Sequence, residues 1–163
     1  MSKIRITFVC LGNICRSPLA EGIMNDYIDK NNLKDKFEID SAGTAAYHLG
    51  SSPDPRSVSV ANLHGIELRH KARQFIWQDF VDSDFILVMD QINYEDVLSI
   101  AATEDDRKKV FLLRSFDAEA HDDFNIADTY YGFGSDFEDM YDICHRSVIG
   151  FLDFLRNQKL LKL

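Results

Sequence analysis

Between Ile4 and Ile28 the chain reads IRITFVCLGNICRSPLAEGIMNDYI, and inside it Cys10, five further residues, Arg16 and Ser17 have the spacing of a phosphate cradle. The backbone N–H groups of Leu11, Gly12, Asn13, Ile14, Cys15 and Arg16 lack a strand partner. At a helix N-terminus such groups converge on a bound anion with the help of the positive dipole end. Thiols in that field beside a guanidinium ionise more readily than free cysteine, which makes Cys10 a nucleophile. Arg16 adds a planar fork able to grip two phosphoryl oxygens, a geometry lysine does not reproduce. Gly12 permits close backbone approach, and Asn13 tolerates the left-handed conformation that a tight loop often needs.

The flanking residues supply the elements that must hold this loop. Ile4, Ile6, Phe8 and Val9 form a β-branched and aromatic run, and Ser17 to Ile28 changes to a helical period, so Cys10 sits where a strand hands over to a helix. Further strand-like runs lie near Phe37 to Ser41, Phe85 to Met89 and Val110 to Leu113. They alternate with helical stretches near Ser17 to Lys30, Pro55 to Leu63, Tyr94 to Ala101 and Phe137 to Leu155. This alternation predicts an α/β fold, a single doubly wound domain over residues 1–163, with a four-stranded parallel sheet and helices on both faces. Ligands in such folds bind beyond the carboxyl ends of the strands, where Cys10, Ser41 and Asp90 fall.

Composition narrows the function classes. A length of 163 residues with 45% hydrophobic content suits one domain with a sizeable core and excludes disorder. The longest wholly apolar run is Phe85 to Met89, far short of a bilayer span, and there is no signal-peptide pattern; a cytoplasmic protein without a membrane partner is expected. The three cysteines have no paired spacing, so neither a disulfide framework nor a zinc site is implied, and no metal or other cofactor is called for. A net charge of −9 repels polyanions, which argues against nucleic acid and leaves anion capture to a local positive pocket. A thiolate attacking phosphorus also needs an acid to protonate the departing oxygen. Any carboxylate between Asp117 and Asp128 qualifies on the residues alone. Cys15 shares the small loop with Cys10 and could trap an oxidised Cys10 as a disulfide, a redox role, whereas Cys144 fits the apolar pattern of the last helix.

The residues from Val9 to Pro18, VCLGNICRSP, resemble the N-terminal signature of the low-molecular-weight protein tyrosine phosphatases. The resemblance continues through DSAGT at Asp40 to Thr44, GIELRHKARQ at Gly65 to Gln74, LVMD at Leu87 to Asp90 and ADTYYG at Ala127 to Gly132. It implies hydrolysis of phosphotyrosine in protein partners through a cysteinyl-phosphate, with inorganic phosphate as product. It selects Asp128, in the place of the family's DPY segment, as general acid and later base; Thr129 stands where proline is usual. The resemblance also implies an aromatic pocket of Tyr47, Tyr130 and Tyr131. A supporting network of Ser17, Ser41 and His70 would hold Asn13, with Ser17 donating to the Cys10 sulfur, and Asp90 has a structural place. Without the resemblance, His70 reads as an exposed histidine among Arg69, Lys71 and Arg73.

Three alternatives stay open. An arsenate reductase shares the loop but needs two further cysteines to relay a disulfide, and only Cys144 lies outside the loop. A phosphoarginine phosphatase of the same family typically carries threonine where Ile14 stands. A module that binds phosphate without turnover would not need the nucleophile and acid.

Overall fold

The computed structural model describes residues 2–161. Four parallel strands, β1 (Ile4–Cys10), β2 (Phe37–Gly43), β3 (Phe85–Val88) and β4 (Val110–Leu112), lie in the order β2-β1-β3-β4. The chain leaves β1 first toward one side of the sheet and later returns to the other, so the sheet's switch point falls beside the end of β1. Cys10 ends that strand, in register with Gly43 of β2. The four-stranded parallel sheet is the expected one.

Alternation along the strands builds two cores. Ile6, Phe8 and Cys10 of β1 and Leu87 of β3 face α1 (Arg16–Lys30), α2 (Pro55–Leu63) and the long C-terminal α6 (Gly134–Asn157). Val9, Ile86 and Val88 point the other way, onto Phe75, Phe80 of α3 (Gln78–Asp82) and Val97 of α4 (Gln91–Ile100). Both faces are therefore covered, as a parallel sheet requires. Phe85, Phe111, Phe116, Phe151 and Phe154 pack ring against ring between the sheet and α6.

The structure extends or adds to the sequence-based elements where capping rather than periodicity decides. α4 begins at Gln91, ahead of the expected Tyr94, because Asp90 accepts the Asn93 N–H at 2.8 Å as its N-cap. α6 begins at Gly134, not Phe137, with the Asp136 carboxylate accepting the Phe133 N–H at 2.7 Å. α3, the one-turn α5 (Glu104–Arg107) and a 3₁₀ turn at Leu113–Phe116 are too short to leave a readable period.

Candidate active site

The loop after β1 is shaped by what its residues permit. Asn13 has φ 57°, the left-handed conformation that asparagine tolerates. At Gly12 a Cβ would lie 2.9 Å from His48 Cδ2, so that side chain would have to shift. Gly43, at the end of β2, is needed for space, since a Cβ would come within 2.7 Å of the Leu11 carbonyl oxygen. With these contacts the loop closes in front of the first turn of α1, and no side chain caps that turn.

At the centre, Cys10 is buried, and its sulfur lies 3.0 Å from Ser17 Oγ and 3.3 Å from the Asn13 N–H that donates to it. Asn13 Nδ2 donates to Ser17 Oγ at 2.8 Å and to Ser41 Oγ at 3.0 Å. Ser17 Oγ thus accepts from Asn13, and its hydrogen has two acceptors within reach, the Ala42 carbonyl at 3.5 Å and the Cys10 sulfur, which as a thiolate can only accept. Asn13 Oδ1 accepts the Arg73 N–H at 3.0 Å and lies 2.6 Å from His70 Nε2. An amide oxygen only accepts, so Nε2 carries a hydrogen. His70 is half-buried in this network, not an exposed histidine of a basic stretch.

On its other edge the His70 ring meets Glu21: Nδ1 lies 3.2 Å from Oε1, which also accepts from Ser41 Oγ at 2.5 Å. Burial pushes the Glu21 carboxyl up to about 7 and pushes the His70 imidazole down. Both shifts have one main cause, burial, which disfavours the charged form of each group. Arg73 backs the network from outside through Asp40 and Asp79.

Arg16 is 2% exposed, and its guanidinium donates to Asp90 Oδ2 at 2.7 Å and to the Ile126 carbonyl at 2.9 Å. Burial opposes its charge, but Cys10, Asp90 and Asp128 outweigh that and hold its pKa above the ordinary value. The second terminal nitrogen lies 3.6 Å from Asp128 Oδ2. Asp128 Oδ1 accepts the Tyr130 N–H at 3.1 Å, which fixes the carboxylate and leaves Oδ2 turned toward Arg16. Asp90, read from sequence as structural, has two functions here, as helix cap and as the partner that aims Arg16.

Cys10, Leu11, Gly12, Ile14, Cys15, Arg16, Tyr47, His48, Asp128, Tyr130 and Tyr131 line one cavity of about 120 Å³. That is near the ~150 Å³ that accepts a benzene ring. Tyr130 stands edge-on to Tyr131 with centroids 4.8 Å apart, and Tyr47 and Tyr131 are 76% and 95% exposed, so they form the rim rather than a packed wall. Cys15 is buried beside Asp54, and burial with that neighbouring charge pushes its thiol up to about 12. Cys144 lies inside α6 with its thiol also pushed up to about 12 by burial.

Sequence reasoning missed His48, Asp54, Arg56 and Glu21. His48 lies 5.7 Å from the Tyr130 ring, centroid to centroid, on the same cavity wall. Glu21 and His48 have partners distant in the chain and no local spacing marks them, whereas Asp54 stands directly before Pro55 as the N-cap of α2 and pairs with Arg56 two positions on, a local signal of a helix start but not of a site.

The family model described as low molecular weight phosphotyrosine protein phosphatase matches residues 5–161. The pig (Sus scrofa) low molecular weight phosphotyrosine protein phosphatase is 42% identical over 152 residues, covering 93% of this chain and 95% of its own. A Streptomyces coelicolor low molecular weight protein-tyrosine-phosphatase is 39% identical over 155 residues, 94% of each chain. Among solved structures, a protein tyrosine phosphatase from Entamoeba histolytica with Hepes in its active site superposes with a TM-score of 0.90. Its identity is 33%, and 96% of this chain and 99% of that one are covered. A Drosophila arginine phosphatase gives 0.86 at 32% identity over 93% and 97% of the two chains.

Proposed function

The chain belongs to the low molecular weight phosphotyrosine protein phosphatase family, and from that premise we propose that it hydrolyses phosphotyrosine in proteins through a cysteinyl-phosphate on Cys10. The observation that carries this reading is the buried Cys10 sulfur, with the Asn13 N–H donating to it and Ser17 Oγ 3.0 Å away, in a ring-sized cavity that Arg16 and Asp128 also line.

In the first step the Cys10 thiolate attacks phosphorus and the P–O bond to the tyrosyl ring breaks. The departing oxygen takes both bonding electrons and a proton from the Asp128 carboxyl. Arg16 and the loop N–H groups of Leu11 to Arg16 hold the three phosphoryl oxygens as charge redistributes. In the second step water attacks phosphorus, Asp128 takes its proton, the S–P bond breaks and inorganic phosphate leaves. The Ser17 hydroxyl stabilises the departing thiolate. The chain's own side chains accomplish both steps without a call on a metal or cofactor. One domain over residues 1–163 supplies them all.

Tyr47, Tyr130 and Tyr131 favour an aryl phosphate, since offset stacking adds roughly 0.5 to 1.5 kcal/mol beyond burial and the short stem of phosphoserine does not reach the rim. Ile14 presents an apolar side chain to the cavity, which supports phosphotyrosine over phosphoarginine. Cys144, sealed in α6, is no relay for an arsenate reductase. A reduced thiol nucleophile supports a cytoplasmic setting. The net charge supports phosphoproteins rather than nucleic acid as partners, and among the described residues no helix is long and apolar enough to cross a membrane.

The test is hydrolysis of p-nitrophenyl phosphate, phosphotyrosine and phosphoarginine without added metal, by the wild type, Cys10→Ser and Asp128→Asn. Turnover of the two aryl phosphates is expected to vanish in Cys10→Ser. Loss of Asp128 is expected to cost about 10² to 10⁴ in rate on phosphotyrosine. Folded wild type that binds phosphotyrosine without hydrolysing it would make the protein a binding module, and a preference for phosphoarginine would overturn the substrate assignment.

A further inference from the structure

Asp128 stands on a loop, and the loop needs holding at both ends if the carboxyl is to meet the leaving oxygen. One end is fixed from below: the Ile126 N–H donates to the Met89 carbonyl at 2.7 Å, and the Ile126 carbonyl accepts from Arg16. The other end is fixed by a residue outside the cavity. Arg56, in the first turn of α2, donates to the Tyr130 carbonyl at 2.6 Å and to the Gly132 carbonyl at 3.1 Å. The same guanidinium is gripped by Asp54, with Nε to Oδ1 at 3.0 Å and Nη2 to Oδ2 at 2.9 Å, and lies 4.6 Å from the centroid of the Phe137 ring.

Asp54 in turn belongs to the phosphate loop's surroundings. Its N–H donates to the Ile14 carbonyl at 2.8 Å, and one turn on, Ser57 Oγ donates to the Cys15 carbonyl at 3.3 Å. A continuous strut therefore runs from the nucleophile's loop through Asp54 and Arg56 to the loop that carries the acid. Tyr130 is where it acts, since its backbone N–H sets the Asp128 carboxylate and its carbonyl is held by Arg56.

We propose that Arg56 is a positioning residue that locks the acid loop to the phosphate-binding loop and so fixes Asp128 against the leaving oxygen. This rests on the reading of Asp128 as the acid. A guanidinium is needed because four acceptors in different directions are served by one planar fork, which a lysine ammonium does not reproduce.

The experiment compares kcat/KM on phenyl phosphate, whose leaving group must be protonated, with that on 2,4-dinitrophenyl phosphate, whose far more acidic phenol leaves unaided. The enzymes are wild type, Arg56→Ala, Arg56→Lys and Asp128→Asn, with thermal melts of each. Arg56→Ala is expected to lose about 10- to 100-fold on phenyl phosphate and under about threefold on the dinitrophenyl ester, the loss that misplacing a catalytic group brings. Arg56→Lys is expected to show the same selectivity at smaller size, and it decides the matter if the alanine variant fails to fold. Equal losses on both substrates, or wild-type rates on both, would reduce Arg56 to a fold-stabilising residue and overturn the proposal. If Asp128→Asn itself lacks the leaving-group selectivity, the assignment of the acid fails, and the strut loses its purpose with it.

Discussion

Asn13 uses its side-chain amide in full: both Nδ2 hydrogens go to serine hydroxyls, and Oδ1 takes hydrogens from Arg73 and His70. It does so with a backbone φ of 57° and with its own N–H on the Cys10 sulfur. Asn13→Ala removes four hydrogen bonds in a buried place and puts alanine in a left-handed conformation that costs about 1–2 kcal/mol. Unsatisfied serine and histidine groups add about 1–3 kcal/mol. A lowered melting temperature in a protein that still folds is expected, with a fall in kcat/KM of about tenfold or more; wild-type rates in the folded variant would reduce Asn13 to packing. His70→Ala is expected to act in the same direction, more weakly. At this scale the left-handed tolerance of Asn13 and the fork of Arg16 were legible, because each is a property of one residue type at one place. Asp90, Arg56 and Glu21 were not, since what they do depends on partners 20 to more than 70 positions away.

Among the elements, the strands and long helices were readable from periodicity, and a parallel sheet with helices on both faces followed from their alternation; the order β2-β1-β3-β4 did not, because alternation leaves open on which side of β1 each later strand is added. The parts that escaped are those fixed by one capping hydrogen bond, as at Asp90, or by too few residues to show a period, as in α3 and α5. The acid loop is of that kind, held by carbonyls rather than by pattern. Thr129 within it is buried, its hydroxyl donating weakly to Met140 Sδ at 3.4 Å and its carbonyl accepting from Gly132. Proline there keeps the carbonyl and lowers the entropy lost on ordering. Thr129→Pro is therefore expected to raise stability by up to about 1 kcal/mol with kcat within about twofold of wild type. Abolished turnover would show that the loop's conformation is not compatible with a fixed φ.

For the whole molecule, the burial of Glu21 and His70 ties stability to pH. Unfolded, a glutamate and a histidine together hold one proton between roughly pH 4.5 and 6.5 and none above. Folded, burial raises the Glu21 carboxyl to about 7, so the pair keeps that proton longer. The contribution is present below pH 6.5 and lost as pH rises through about 7, a decline of under about 1 kcal/mol. Glu21→Gln is expected to flatten the melting temperature between pH 6.5 and 8; an unchanged slope would place the titration elsewhere. The proposed chemistry turns on the Cys10 sulfur as the atom that takes the phosphoryl group. The most direct test is the mass of the intact protein, acid-quenched during turnover of phosphotyrosine and then mapped by peptide. One added phosphoryl group on Cys10, absent in Cys10→Ser, is the expected result. Full turnover with no covalent phosphoenzyme, or a phosphoryl group on a different residue, would contradict it.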